Sequence, residues 1–271
     1  MTSSSQAIGI FDSGIGGLTV AKAVRAQLPG EDIIYVGDTA RVPYGIKSEE
    51  TVKRYAKQIA RFLREHQVKL IIIACNTVSA TALSEVKEAA GSTPVLDVIS
   101  TGAQAALQDP LEHRHVGIIG TLATINSHAY HRALHERAPE LIITEKACPL
   151  LVPLAEEGWL DNAVTRETLT LYLQKFQALQ LDRLILGCTH YPLFKPIISE
   201  MSGLRGNQLI DSGEVIAQFS EQLLQKRNLL KEQSVSGSFT CYVSDRPQRF
   251  GELAKRFLGA PIQPIISREW D

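Results

Sequence analysis

The sequence predicts an α/β protein of two pseudo-symmetric lobes, each a mainly parallel sheet flanked by helices, with the active site in the interlobe cleft. Three observations carry this. Short, continuously apolar runs alternate with helical patterns along the chain, as in parallel sheets covered on both faces. The same grammar resumes halfway: "IGIFDSG" (8–14) has a counterpart in "VGIIGTL" (116–122), 108 residues on. "LIIIACNT" (70–77) has one in "LILGCTH" (184–190), with Cys75 and Cys188 offset by 113.

The elements follow in order. "AIGIF" (7–11) reads as a buried strand, then Gly-rich "DSGIGG" and a helix over 18–27. "DIIYVGD" (32–38) is a second strand, followed by the loop "TARVPYGIK". Ser48 suits an N-cap, and Glu49 and Glu50 complement the first-turn dipole. Val52, Tyr55, Ala56, Ile59, Phe62 and Leu63 then recur at three-and-four spacing, the mark of a helix with one buried face. "VKLIIIA" (68–74) is the third strand, and one helix runs on to about Ala90, stopped by Gly91. Further on, "HVGIIG" (115–120), "LIITEKA" (141–147) and "DRLILG" (182–187) read as strands, with helices over 126–138 and 164–180. "QLID" (208–211) precedes a helix holding Leu223 and Leu224. "FTCYVSD" (239–245), a helix and "APIQPII" follow, and polar "KEQSVSGS" (231–238) reads as a surface loop. "LIDSG" (209–213) echoes "IFDSG" (10–14), as if the chain crosses back to its first lobe there. The first lobe is therefore placed at 1–97 plus 212–271 and the second at 98–211.

Composition narrows the function classes. A chain of 271 residues suits one large or two ordinary domains. A net charge of −1 offers neither the basic face that nucleic acid requires nor a polybasic membrane anchor. "MTSSSQAIGIF" lacks the basic and apolar regions of a secretory leader. No run reaches the roughly 18 apolar residues of a membrane helix. The expectation is a soluble, cytoplasmic protein; exposed helix faces leave room for a homodimer. Cys75, Cys148, Cys188 and Cys241 form neither a CxxC zinc pattern nor a disulfide framework, so free thiols are expected.

In open parallel sheets, ligands bind beyond the carboxyl ends of the strands. Asp12, Asp38, Cys75, Thr121 and Cys188 all stand there. "DSGIGGL" is not a dinucleotide loop, since the third glycine position of GxGxxG holds Thr19, and it is not GxxxxGK[ST] either. His128, His131 and His135 share one side of a helix, but no Cys or carboxylate with ligand spacing accompanies them, so they read as a solvated face. His190, two residues after Cys188, has the chemistry of a proton partner. A lone strand-end thiol is commonly a small core residue. Two at pseudo-equivalent ends instead place one thiol on each side of a single carbon. That is the arrangement of a two-base racemase or epimerase, in which one thiolate removes an α-proton and the other thiol returns one to the opposite face. Asn76, Thr77 and Thr189 would hold substrate carboxylates. Cys148 and Cys241 read as structural.

"FDSGIGGL" (11–18), "YVGDTARVPYG" (35–45), "ACNTVSA" (74–80), "VPLAEEG" (152–158) and "GCTHYPL" (187–193) closely resemble the glutamate racemases of the aspartate/glutamate racemase superfamily, end to end and in one order. The resemblance implies interconversion of L- and D-glutamate without a cofactor or metal, supplying D-glutamate for peptidoglycan. It implies Cys75 as the base for the D-enantiomer and Cys188 for the L-enantiomer. Asp12 would assist Cys75, while Glu156 (rather than Glu157) and His190 would assist Cys188. Substrate contacts carry over to Asp12, Ser13, Tyr44, Gly45, Asn76, Thr77, Thr189 and His190, with Thr121 and Thr124 lining the site. Some members have a long N-terminal extension tied to activation by a cell-wall precursor. About seven residues precede the first strand here, so such activation is not expected. Other readings of the same residues are a racemase of another acidic amino acid, such as aspartate, and a non-catalytic binding protein for such acids.

Overall fold

The protein is described by a computed structural model covering residues 3–232, 234–267 and 270. The chain runs β1 (Ile8–Asp12), α1 (Leu18–Gln27), β2 (Ile33–Gly37), α2 (Glu49–Glu65), β3 (Leu70–Ile73), α3 (Asn76–Thr81), α4 (Leu83–Ala90), β4 (Val95–Asp97) and α5 (Val98–Ala106). It continues through β5 (His115–Gly120), α6 (Leu122–Asn126), α7 (Ala129–His135), β6 (Ile142–Ala147), α8 (Leu151–Glu157), α9 (Ala163–Gln177), β7 (Arg183–Gly187), α10 (Lys195–Ser202) and β8 (Leu209–Asp211). Then come α11 (Ser212–Lys226), β9 (Phe239–Val243), α12 (Pro247–Leu258) and β10 (Ile265–Ile266).

Two parallel sheets result. One has the order β10-β9-β2-β1-β3-β4, the other β6-β5-β7-β8. The central strands are buried along their whole length, which is why they read as unbroken apolar runs. The registers Ile8↔Leu70 and Val116↔Arg183 bring the carboxyl ends of β1 and β3, and of β5 and β7, level with each other. The order β2-β1-β3-β4 is repeated as β6-β5-β7-β8, so β1 corresponds to β5 and β3 to β7. This also corrects one reading. "LID" forms β8, whose equivalent is β4, not β1. Both end in an aspartate that caps the next helix: Asp97 accepts from Ile99 and Ser100, Asp211 from Gly213 and Glu214.

Several helices differ from the sequence expectation. α2 starts as read, with the Thr51 N–H donating to Ser48 Oγ at 3.3 Å and Val52, Ala56, Ile59, Phe62 and Leu63 buried. The helix after β3 is two: Ala82, at φ −131°, ends α3 and begins α4. The helix expected over 126–138 is the shorter α7, because His128, at φ 50°, separates it from α6, which ends at Asn126. β4 and α5 went unread. Three residues show no alternation, and α5 buries most of its circumference, so no polar stripe marks it. Glu156 lies on α8, a helix the sequence did not announce. Pro153 is in that helix's first turn, where a missing N–H costs nothing. α10, with Pro196 likewise near its start, also went unread. In the loop read over 231–238, residue 233 lies outside the described residues. Among the described residues no helix is long and apolar enough to cross a membrane.

Candidate active site

A cleft of about 770 Å³ opens where the strand ends of both sheets converge. Asp12 and Ser13 after β1, Cys75, Asn76 and Thr77 after β3, Thr121 after β5, and Cys188, Thr189 and His190 after β7 all line it. Tyr44 and Gly45 reach it from the loop after β2, and Glu156 from α8. Thr124 does not line it. That side chain is buried behind Thr121, with the two hydroxyl oxygens 3.1 Å apart.

The two cleft thiols sit in unlike surroundings. Cys75 is buried, and its Sγ lies 3.6 Å from Ser13 Oγ. Burial, and then the nearby Asp12 carboxylate, push this thiol up to about 12. Asp12 is itself buried and accepts the Gly14 N–H at 2.8 Å. Burial holds its carboxyl above the usual range, against the opposing pull of the His190 charge and backbone N–H groups. Cys188 has a different neighbour: its Sγ is 3.8 Å from His190 Nδ1. The other ring nitrogen, Nε2, is 3.1 Å from Glu156 Oε1. Burial disfavours a charge on His190. Its bonds to Cys188 and Glu156 outweigh that and raise the imidazolium to about 10. The same bond to His190 leads in holding Glu156 below the usual carboxylate range. One thiol therefore lies beside a carboxylate, and the other beside a relay of His190 and Glu156.

Neighbouring polar groups are arranged around these pairs. Asn76 Oδ1 accepts from the Tyr130 hydroxyl at 2.9 Å, which fixes the amide's orientation. Its Nδ2 is buried and has no hydrogen-bond partner among the described residues, a donor held ready for a ligand oxygen. The Tyr44 hydroxyl is donated to buried Asp38, which also binds Arg41 and Ser244. Tyr44 is thus pinned beside the cleft by a network that shapes the loop. The glycines of "DSGIGG" serve close packing rather than a left-handed turn. A Cβ on Gly16 would stand 2.2 Å from Thr189 Oγ1 and 2.5 Å from the His190 ring. That crossing is tied by Thr19 Oγ1 donating to the Thr189 carbonyl at 2.8 Å.

Other sequence candidates lie elsewhere. His131 and His135 stack at 5.7 Å, and His128 pairs with Glu145 at 2.9 Å. Among the described residues no group of three His, Cys, Asp or Glu could hold a metal ion. Cys148 and Cys241 are buried outside the cleft. What the sequence did not reveal is the wall built by α12 and the turn before it: Arg246, Arg249, Phe250 and Leu253 all line the cleft. The three-and-four spacing of 246, 249, 250, 253 and 257 is the only signal of that face.

A family model described as Asp/Glu/Hydantoin racemase matches residues 18–219. The glutamate racemase of Syntrophus aciditrophicus (strain SB) is 50% identical over 258 residues, covering 95% of this chain and 94% of that protein. That of Chlorobaculum tepidum is 49% identical over 263 residues, covering 97% and 96%. The crystal structure of glutamate racemase from Francisella tularensis subsp. tularensis SCHU S4 in complex with D-glutamate superposes with a TM-score of 0.90 at 40% identity, covering 98% of both chains.

Proposed function

The chain belongs to the Asp/Glu/Hydantoin racemase family, and from that premise we propose that it interconverts L- and D-glutamate by two-base proton transfer at Cα, with Cys75 on one face and Cys188 on the other. The observation that carries this is two buried thiols lining one cleft in chemically opposite settings.

A two-base racemisation must begin with one base and one acid. Beside Cys188, the His190 imidazolium supplies a counter-ion for a thiolate. Cys75, pushed up to about 12, rests as a thiol. Cys188 as base and Cys75 as acid give the L-to-D direction. Cys188 takes the α-proton from L-glutamate, and Cys75 delivers one to the opposite face. The reverse direction needs the opposite pair: Asp12 accepts the Cys75 proton, the His190 imidazolium gives its proton to Cys188, and the Cys188 thiol then delivers it to Cα as the Cys75 thiolate removes the α-proton of D-glutamate. The unpartnered Asn76 Nδ2, with Thr77, Thr121 and Thr189, supports binding of the substrate carboxylates and of the charge that develops beside Cα. The two thiols supply both bases, in line with the cofactor-independent chemistry of the family. D-glutamate supply for peptidoglycan in the cytoplasm follows from the same relationship. The sheet memberships support lobes at 1–97 plus 212–271 and at 98–211.

Polarimetry of L-glutamate with no added cofactor tests the reading, with L-aspartate alongside. Loss of optical rotation from glutamate is expected, with incorporation of solvent deuterium at Cα on inversion. Cys75→Ala and Cys188→Ala should each abolish it. Full turnover by either variant, or faster racemisation of aspartate, would overturn the assignment.

A further inference from the structure

We propose that Arg256 is a positioning residue for the Cys188 side of the site: from α12 it grips the end of α8 and holds Glu156 against His190. This rests on the proton relay proposed above. The contact joins the two lobes. α12 follows β9 of the six-stranded sheet, whereas α8 follows β6 of the four-stranded one. Arg256 Nη1 donates to the Glu156 carbonyl and, at 3.4 Å, to that of Ala155. The last carbonyls of a helix lack the usual internal partners, although that of Ala155 also accepts the Gly158 N–H at 3.1 Å, and a cation there complements the helix dipole.

The chain makes room for this grip. Gly158 ends α8 at φ +79°, and a Cβ on it would stand 2.6 Å from Arg256 Nη2. The next residue along α12 touches the other half of the relay, for the Phe257 ring meets His190 edge-on at 5.2 Å between centroids. α12 therefore contacts both members of the His190–Glu156 pair through consecutive residues. Because Arg256 binds backbone carbonyls, its effect is on where the helix end sits. A carboxylate displaced by an ångström no longer meets Nε2 at hydrogen-bond distance. The titratable groups facing His190 are Asp12 from β1, Cys188 from the end of β7 and Glu156 from α8; Arg249 of α12 acts on Glu156.

Arg256→Met and Arg256→Lys, prepared in ¹⁵N-labelled full-length protein, test this by imidazole NMR of His190 beside steady-state racemisation. Arg256→Met should lower the His190 titration midpoint by about one pH unit and kcat/KM by about tenfold, with Arg256→Lys recovering part of both. A racemisation has an equilibrium constant of one, so kcat/KM must fall equally in both directions. In a Glu156→Gln background, Arg256→Met should add nothing further. Gly158→Ala, which displaces the guanidinium without removing it, should shift the midpoint the same way and keeps the test open if Arg256→Met does not fold. An unmoved midpoint, or a full additional loss in the Glu156→Gln background, overturns the proposal. If the wild type does not racemise glutamate, the functional reading fails, while the imidazole titration still judges Arg256.

Discussion

Alkylation of the resting protein by iodoacetamide separates the two cleft thiols, and the expected rates follow from the surroundings of Cys75. Its thiol is pushed from an ordinary 9.0 to about 12, by burial first and Asp12 second. At pH 8 this cuts the thiolate fraction from about one in ten to about one in ten thousand, a free-energy difference of about 4 kcal/mol. A more basic thiolate is a better nucleophile, and at about 0.4–0.5 log units per unit of thiol pKa that restores about twentyfold. Cys75 should thus react about fiftyfold more slowly than an ordinary thiol on acidity alone, before burial slows access. Its rate should keep rising with pH beyond 10. Asp12→Asn removes the second cause and should speed alkylation about threefold, the net of a tenfold gain in thiolate and a loss of nucleophilicity. Peptide mass spectrometry over a time course at pH 7–11 reads both cysteines separately. A Cys75 rate that levels off below pH 10, or that slows in Asp12→Asn, would refute the reasoning.

Other outcomes follow from single contacts. Tyr130→Phe removes the hydroxyl that orients Asn76 and lies 3.3 Å from Ser212 Oγ; it should cost about 1–3 kcal/mol in urea unfolding and raise the KM for glutamate. Gly16→Ala drives a methyl into Thr189 and His190, and should lower kcat about tenfold or more with a stability loss of about 1–3 kcal/mol. Lys69 and Glu31 form a wholly buried ion pair at 2.5 Å, so Lys69→Met strands a carboxylate and should cost about 3–5 kcal/mol, read as a fall in Tm. His190 is raised in the fold to about 10, against an unfolded value of 6.5, so its contribution is fully present below pH 6.5 and is lost as pH rises through 10. Tm measured from pH 6 to 10.5 should therefore fall more steeply for the wild type than for His190→Asn; parallel curves would remove that contribution.

How much was readable depended on the kind of signal. The buried strands were, because "LIIIA" and "LILG" are apolar at every position and short enough to exclude a helix. Ser48 announced α2 through local chemistry, and the motif blocks named the cleft residues after β1, β3 and β7, though not Thr121 after β5. β4 and α5 carried no such signal, one being too short and the other buried too evenly. Glu156 was picked by motif, but its seat on a helix was not, since Pro153 looks like a breaker away from a helix start. Thr124 lies three residues after Thr121 yet is buried outside the cleft, a distinction that spacing does not encode.

Residue identity and alternation are local properties, and they were enough to specify parallel sheets, a repeated lobe and a thiol at each of two equivalent strand ends. The character of each thiol is not local. Asp12, sixty-three residues before Cys75, and Glu156, thirty-two before Cys188, act over a few ångströms that exist only once the sheets are assembled. The wall from α12 is more remote still, folded back from near the end of the chain onto the second lobe. Burial and Coulomb interaction depend on distance through space, and that is why acid could be told from base at this site only after the chain had been followed into three dimensions.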